Sequence, residues 1–578
     1  MQRRESSVPD VSLREVGVVF LLGCLLSGLM FHPIVTHLGS HIPEDLGDPV
    51  RTVWQLAWQG HALLHHPFHL YDSNAFWPHP YSFAFSDSLL GYAPASLIGQ
   101  GAHAALVRYN LLFLFAYALC FTGAYLLVRE LGVGRLAGAI AGAGFAYAPF
   151  RLAQNGHLHV VSSGGIPLAF FLLVRGYRRR QPKTLFAGWL VAAWQLTLGF
   201  TLGLQLVYLL AALAAIAGVF WLVRGRPRPP RPLAVATVAG VVVLAGVGAI
   251  QARPLLKVSH DYPQAHRTSH EVGRYSASPK AFLSAPVEDR LWGAATKPIR
   301  KTLTTPNEQN QFPGAAIFLL AAIGVAAGTA YSRGLRVGLA VGVLAVAVLS
   351  LGFGVLNGDL SYRLLLDYAP GWNGVRTPGR LATLTSLGLA VLAAAGAHRL
   401  IGLAAGAVRE RGRRVALAIP VALATLMTGV VLAEGRGSVP NPAVPPVPRG
   451  EDAAPAPQMH LPTSLGYDRM YQYWSTNRFQ LIANGIATFG IPDLARLRGR
   501  MKTFPDRRSV HFLRHMGIRS VILHLDIPLQ PIPDKWKSAN PRKPKLAATK
   551  SIAGLPLTRH RMGRIVVYIL RPMRRRPA

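Results

Sequence analysis

Residues 16–31 read VGVVFLLGCLLSGLMF, a run without a charged side chain, preceded by Arg3, Arg4 and Arg14. A hydrocarbon core about 30 Å thick needs roughly 20 apolar residues to be crossed by a helix. Extended to residue 36, this run meets that length. A basic flank before an apolar run also fits a secretory signal, but no small-residue cleavage site follows, so the segment is read as a retained first span. Further runs of the same kind lie near 109–128, 136–150, 159–174, 184–200, 203–223, 233–251, 314–331, 335–355, 381–401 and 413–433. The stretch from residue 184 is divided at GFTLG (199–203), because one helix through both halves would overshoot the bilayer. The expectation is a mainly α, polytopic membrane protein with about 11 transmembrane helices in residues 1–433.

Composition agrees. Charged residues are 15% of the 578, hydrophobic residues 51%, and mean hydropathy is positive at +0.29. Soluble domains carry about 25% charged residues, and disorder needs low hydrophobicity beside high net charge. The 61 Lys and Arg against 25 Asp and Glu give +36. No helix-turn-helix, zinc-finger or base-stacking motif accompanies the basic runs, so nucleic acid is not the expected partner. The 2 cysteines, Cys24 and Cys120, lie in separate apolar runs and supply neither a disulfide framework nor a cysteine zinc site.

The basic clusters orient the spans. Arg129 and Arg135, RGYRRRQPK from Arg175, RGRPRPPRP from Arg224, Ser332–Arg336 and RERGRR from Arg409 fall on alternate connections. The positive-inside rule places these in the cytoplasm with the N-terminus. Residues 37–108, 151–158, 252–313, 356–380 and the tail after 434 then face outward. The tail opens with a Pro-rich linker over 434–460, and residues 461–570 read as a small extracytoplasmic α/β or α+β domain. In it SVHFLRHMG is a helix closed by Gly517, and IRSVILHLD and RIVVYIL are strands. The last residues, RPMRRRPA, are expected to be disordered.

The long first outer loop, 37–108, carries the densest chemistry. Val50, Val53, Trp54, Ala57, Trp58 and His61 recur on one helical face, with Arg51, Gln55 and Gln59 on the other. Tryptophan on the apolar face predicts an interfacial helix lying on the outer leaflet and ended by Pro67. Acids cluster before it, Glu44, Asp45 and Asp48, with Asp72 and Asp87 further on. Asp48 before Pro49 suits an N-cap with proline at the first helical position. A carboxylate at the water–lipid boundary also suits a base that takes a proton from a hydroxyl, and E-D-x-x-D suits a divalent cation, Mg or Mn, held by oxygens.

The stretch GDPVRTVWQLAWQGHAL (47–63) resembles the first-loop signature of bacterial GT-C superfamily glycosyltransferases and their relatives. QNGHLHVVSSGGIPL, EQNQFPGAAIFLLA, YRLLLDYAPGWNGVRTPGRLATL, NRFQLIANG and FPDRRSVHFLRHMGIRSVILH are similar to other pieces of the same group. The resemblance implies transfer of a sugar from a polyprenyl-phosphate carrier on the extracytoplasmic side, with the first-loop acid as base or metal partner. That role falls on Asp48, then on Asp45 and Glu44; the adjacent acidic pair of the pattern is Glu44–Asp45 here.

A lipid phosphate needs cations, and arginine binds it bidentately. Arg376, Arg380, Arg253 and Lys257 are the outer candidates, with Arg267 beside them, and His157 and Asp87 complete the expected substrate-binding set. His157 and His159 flank one residue, His61 and His65 are i, i+4 before His66 and His69, and no HExxH occurs. The aromatic stretch YDRMYQYWSTNRF reads as interior more than as a sugar-stacking surface. No Walker A or dinucleotide fingerprint is present. The expected function is a glycosyltransferase of the bacterial inner membrane acting on an envelope glycan, lipid or protein acceptor. The rival readings are a lipid or polysaccharide flippase and a non-catalytic envelope-assembly protein. Few charges lie inside the spans and no repeated halves are evident, which favours the enzyme.

Overall fold

The computed structural model describes residues 10–226, 229–408, 410, 413–527 and 544–572. Arg3 and Arg4, parts of the basic runs after Arg224 and from Arg409, and the last six residues lie outside them. The chain divides into two compact units. One comprises Met1–His32, Leu112–Gln251 and His266–Val439; the other Pro33–Leu111, Ala252–Ala265 and Pro440–Ala578.

All eleven apolar runs are helical. Among the described residues, eight helices are long and apolar enough to cross a membrane: Leu13–Met30, Gly101–Glu130, Leu158–Arg178, Phe200–Val223, Arg231–Asp261, Arg333–Ser350, Pro378–Ala407 and Arg414–Glu434. The other three are shorter, Arg135–Ala146, Pro182–Leu196 and Ala315–Ala327. Pro149 lies just beyond the first of these, and Gly314 and Gly328 flank the third. The run expected at 233–251 extends to Asp261 through Pro254, so Arg253 and Lys257 ride on a helix instead of the expected loop.

In the first unit the basic connections gather at one end. Glu15, 8% exposed, accepts from Tyr125 Oη at 2.7 Å, Arg129 Nε at 2.9 Å and Arg135 Nη2 at 3.1 Å. Arg175 and Arg179 both reach the Glu130 carboxylate and share Asp10. A buried carboxylate demands such partners, and here the basic turns between helices supply them. At the opposite end, Glu434 closes the last long helix. Its two oxygens accept the N–H groups of Ala315 and Ala316, each at 3.0 Å, and Oε1 also accepts from Trp292 Nε1 at 3.1 Å. The carboxylate thus serves the orphan donors that open helix 315–327, where the helix dipole favours negative charge. That helix packs tightly on 382–407. A Cβ added at Gly324 would lie 2.0 Å from the Leu392 carbonyl oxygen, and one at Gly396 would lie 2.0 Å from that of Leu320.

The second unit departs from the sequence reading. The first-loop helix forms over Asp48–His65, but it is no surface helix. Val50, Val53, Trp54 and Trp58 are buried, and so are Arg51, Gln55 and Gln59 from its polar face. The amide groups are buried because each finds a partner: Gln55 Nε2 donates to the Asp87 carbonyl and Gln59 Nε2 to Ser96 Oγ. Both indoles are likewise satisfied, Trp54 by Asn74 Oδ1 and Trp58 by the Leu70 carbonyl. Amphipathic spacing alone does not separate a leaflet from a polar protein interior.

The 434–460 segment is also not a free spacer. Ile42 and Glu44 N–H groups donate to the carbonyls of Pro442 and Pro440, and Val444 N–H donates to Ser40. Proline lacks a donor but keeps its acceptor, and residues 40–44 use it. Strand β1 (Gln458–Leu461) begins before the expected domain boundary, and pairs in parallel with β2 (Ser520–His524). Strands β3 (Leu557–Met562) and β4 (Ile565–Leu570) complete a sheet of order β1-β2-β4-β3, antiparallel beyond β2. The helix Arg507–His515 opens with a capping box between Asp506 and Ser509 and, as its sequence suggested, is followed by Gly517, at φ +77°.

Candidate functional site

Asp48 stands at the head of helix 48–65, immediately after a turn fixed by its neighbours. Asp45 Oδ1 accepts the Gly47 N–H at 2.8 Å, an Asx-type turn, and Glu44 sits at φ 78°. The residue preceding the helix is Gly47, so Asp48 is the first helical residue and not the N-cap anticipated for it. Its carboxylate faces two guanidiniums: Arg469 Nη2 donates to Oδ1 at 3.0 Å, and Arg51 Nη2 lies 3.5 Å from Oδ2. The Asp48 side chain keeps 25% of its surface open, against 10% for Arg469. Arg469 is 421 residues further on, in helix Tyr467–Ser475, so no local spacing could reveal this pair.

That helix holds the aromatic stretch, and Tyr471, Tyr473 and Trp474 are interior. Beside Arg469, Asp468 is fully buried, accepting from Thr463 Oγ1, Asn484 Nδ2 and Arg498 Nη2 at 2.9, 2.9 and 2.7 Å. Arg498 in turn lines an open pocket of about 330 Å³ with Gln264, Leu465, Ile486 and Phe489. Asp48 is not part of that lining. Asp87 contributes its carbonyl to Gln55. Lys257 pairs with Asp261 at 3.0 Å and lies over the Tyr81 ring, while Arg253 is exposed.

The remaining expected residues belong to the first unit. Arg380, in the turn Pro378–Leu381, donates to both Glu308 oxygens, from Nη2 at 2.9 Å and Nε at 3.4 Å, and its Nη1 meets His159 Nε2 at 3.1 Å. His157 Nε2 is 3.8 Å from the same carboxylate. Side-chain exposure is 9% for Arg380 and 12% for Glu308. Burial alone would raise the Glu308 carboxyl, but Arg380, with His157 and Arg376, outweighs it and holds the group at about 2. Arg376 is more open, 33%, at 3.7 Å from Glu271 and over the Tyr275 ring. Arg267 shares Glu271 at 3.2 Å. The structure therefore brings Arg376, Arg380 and His157 into one charged cluster, around acids that the site expectation omitted. Glu308 had a visible signal: it is the single acidic residue between Asp289 and Asp359.

The first-loop acids do not fit a divalent cation as they stand. Asp45 is turned onto its own backbone and Asp48 onto guanidiniums. Among the described residues, three metal-ligating atoms converge at a different place, Glu451, His460 and His524.

No family model and no curated protein matches the chain. It is similar to the solved structure of an oligosaccharyltransferase from Archaeoglobus fulgidus in the apo form, at 15% identity and a TM-score of 0.45, over 89% of this chain and 70% of that one. It is similar also to the same enzyme in complex with zinc and sulfate, at 14% identity and 0.44, over 88% and 68%. A likeness that loose carries no argument about residues or chemistry.

Proposed function

We propose that the protein is a multi-pass membrane glycosyltransferase that moves a sugar from a polyprenyl-phosphate donor to a hydroxyl of a cell-envelope acceptor. The observation that carries this reading is Asp48: a partly open carboxylate at a helix head just beyond the first apolar helix, oriented by Arg469 and Arg51. A base must be held still and remain reachable, and this one is both. The acceptor oxygen attacks the anomeric carbon, its proton passes to the Asp48 carboxylate, and the bond to phosphate breaks with its electron pair leaving on the carrier.

The carrier phosphate needs a cation not already saturated. Within the first unit, Arg376 is better suited than Arg380 to take a phosphate, because its Glu271 contact is long and a third of its side chain is open, whereas Glu308 holds Arg380 on two bonds. Arg380 is then a positioning residue, and Arg253 and Lys257 contribute surface charge toward lipid headgroups. The chain lies in the bacterial inner membrane with its basic turns in the cytoplasm and the tail after Glu434 outside; the basic ends clustered opposite Glu434 support that alternation.

The test is Asp48→Asn assayed for transfer from a radiolabelled polyprenyl-phosphate sugar in membranes. Loss of transfer with normal expression is expected. Undiminished transfer rejects the assignment.

A further inference from the structure

The second unit buries a carboxylate and two imidazoles together. Glu451 comes from the short turn Glu451–Ala453, His460 from β1 and His524 from β2; they are 3%, 0% and 2% exposed. One ligand atom from each lies within 4.8 Å of the others. His460 Nδ1 is 3.1 Å from His524 Nε2, and His460 Nε2 is 3.9 Å from Glu451 Oε1. Glu451 Oε2 is buried without a hydrogen-bond partner. The surroundings are aromatic: Tyr471 stacks on both rings, with centroids at 4.9 and 5.1 Å, and Trp474 is 5.1 Å from His524.

Burying an unsatisfied carboxylate oxygen is costly unless a charge or a metal completes it. Two ligands bound to zinc at about 2.0–2.1 Å with tetrahedral angles are roughly 3.4 Å apart. His460 Nδ1 and His524 Nε2 already stand near that spacing, and the three ligand atoms, all within 4.8 Å of one another, need to close by up to about 1.4 Å. Imidazole with one carboxylate suits zinc, whereas magnesium and manganese prefer all-oxygen sets.

We propose that Glu451, His460 and His524 form a zinc site that ties the 440–460 segment to the β1–β2 pair of the tail. The site is independent of the glycosyltransferase reading. Its role is structural: it closes the chain between a turn and two parallel strands, well inside the protein. The competing arrangement is a metal-free stack in which one ring nitrogen donates to the other.

The experiment uses the untagged full-length protein in detergent, stripped with a chelator and then titrated with Co²⁺ and with Zn²⁺. One equivalent of Co²⁺ per chain, with the strong visible absorption of a four-coordinate ion that Zn²⁺ bleaches, is expected. Glu451→Gln, which keeps the side chain's shape, should weaken zinc at least tenfold, and His524→Gln more. Wild-type protein that binds no stoichiometric Co²⁺ overturns the proposal, whatever the variants do. So does a pair of folded variants that both bind as tightly as wild type, because the ion then sits elsewhere. A spectrum requiring six oxygen ligands would overturn it as well.

Discussion

Replacing Glu308 by glutamine should destabilise the first unit by about 3 kcal/mol at neutral pH. Two routes give that size. A carboxyl that falls from 4.5 to about 2 on folding contributes about 3 kcal/mol through proton linkage. Breaking one side of a buried ion pair costs roughly 3–5 kcal/mol, and glutamine, which still accepts one bond from Arg380, keeps the loss at the lower end. The sign with pH follows from the direction of the shift. The folded value is depressed, so the contribution is complete above pH 4.5 and disappears as pH falls toward 2. Unfolding in detergent, followed by tryptophan fluorescence at pH 7 and at pH 3, should show a wide gap between wild type and variant that narrows at the lower pH. Glu308→Gln with Arg380→Met should cost less than the two changes summed, since neither charge is then stranded. Equal stability of wild type and Glu308→Gln at pH 7, or a gap that does not narrow on acidification, would refute the account.

Other outcomes follow from the same geometry. Arg469→Met should remove the 3.0 Å bond to Asp48 and reduce transfer at least tenfold with little change in donor KM, read in the membrane assay. Arg376→Ala should raise the KM for the polyprenyl-phosphate donor more than Arg253→Ala does. Glu434→Ala strands the opening N–H groups of helix 315–327 and the Trp292 indole, so it should cost about 2 kcal/mol, with Glu434→Gln costing less; thermal unfolding checks both. Gly396→Ala drives a methyl into the Leu320 carbonyl and should lower stability by about 1–3 kcal/mol, measured the same way.

The apolar runs were legible because a membrane span needs nothing but length and apolarity; all eleven are helical, but among the described residues eight are long and apolar enough to cross, where about 11 spans were expected. The helix 507–515 and strands β2 and β4 were legible from the SVHFLRHMG pattern closed by Gly517 and from the runs of Val and Ile in IRSVILHLD and RIVVYIL. Strand β1 was not, because QMHL is short and sits among prolines, and β3 was not, because LTRHRM exposes nearly every side chain on an edge. Helix 48–65 was placed by its periodicity and misjudged in its surroundings: Gln55 and Gln59 are polar in sequence but find interior partners only once distant chain is folded around them. The partners of Asp48 and Arg380 escaped for the same reason. Arg469 and Glu308 are joined to them through space, across 421 and 72 residues.

The glycines at 324 and 396 have a reach beyond their own seam. The two helices they press together begin near Glu308 and Arg380, and a Cβ at Gly379 would already strike the Glu308 carbonyl at 2.3 Å. A wedge driven between the helices at mid-length therefore acts as a lever on the charges at their tips. Enlarging either glycine should loosen the Glu308–Arg380 contact from several turns away, and the acid sensitivity of unfolding becomes a gauge of that remote spacing.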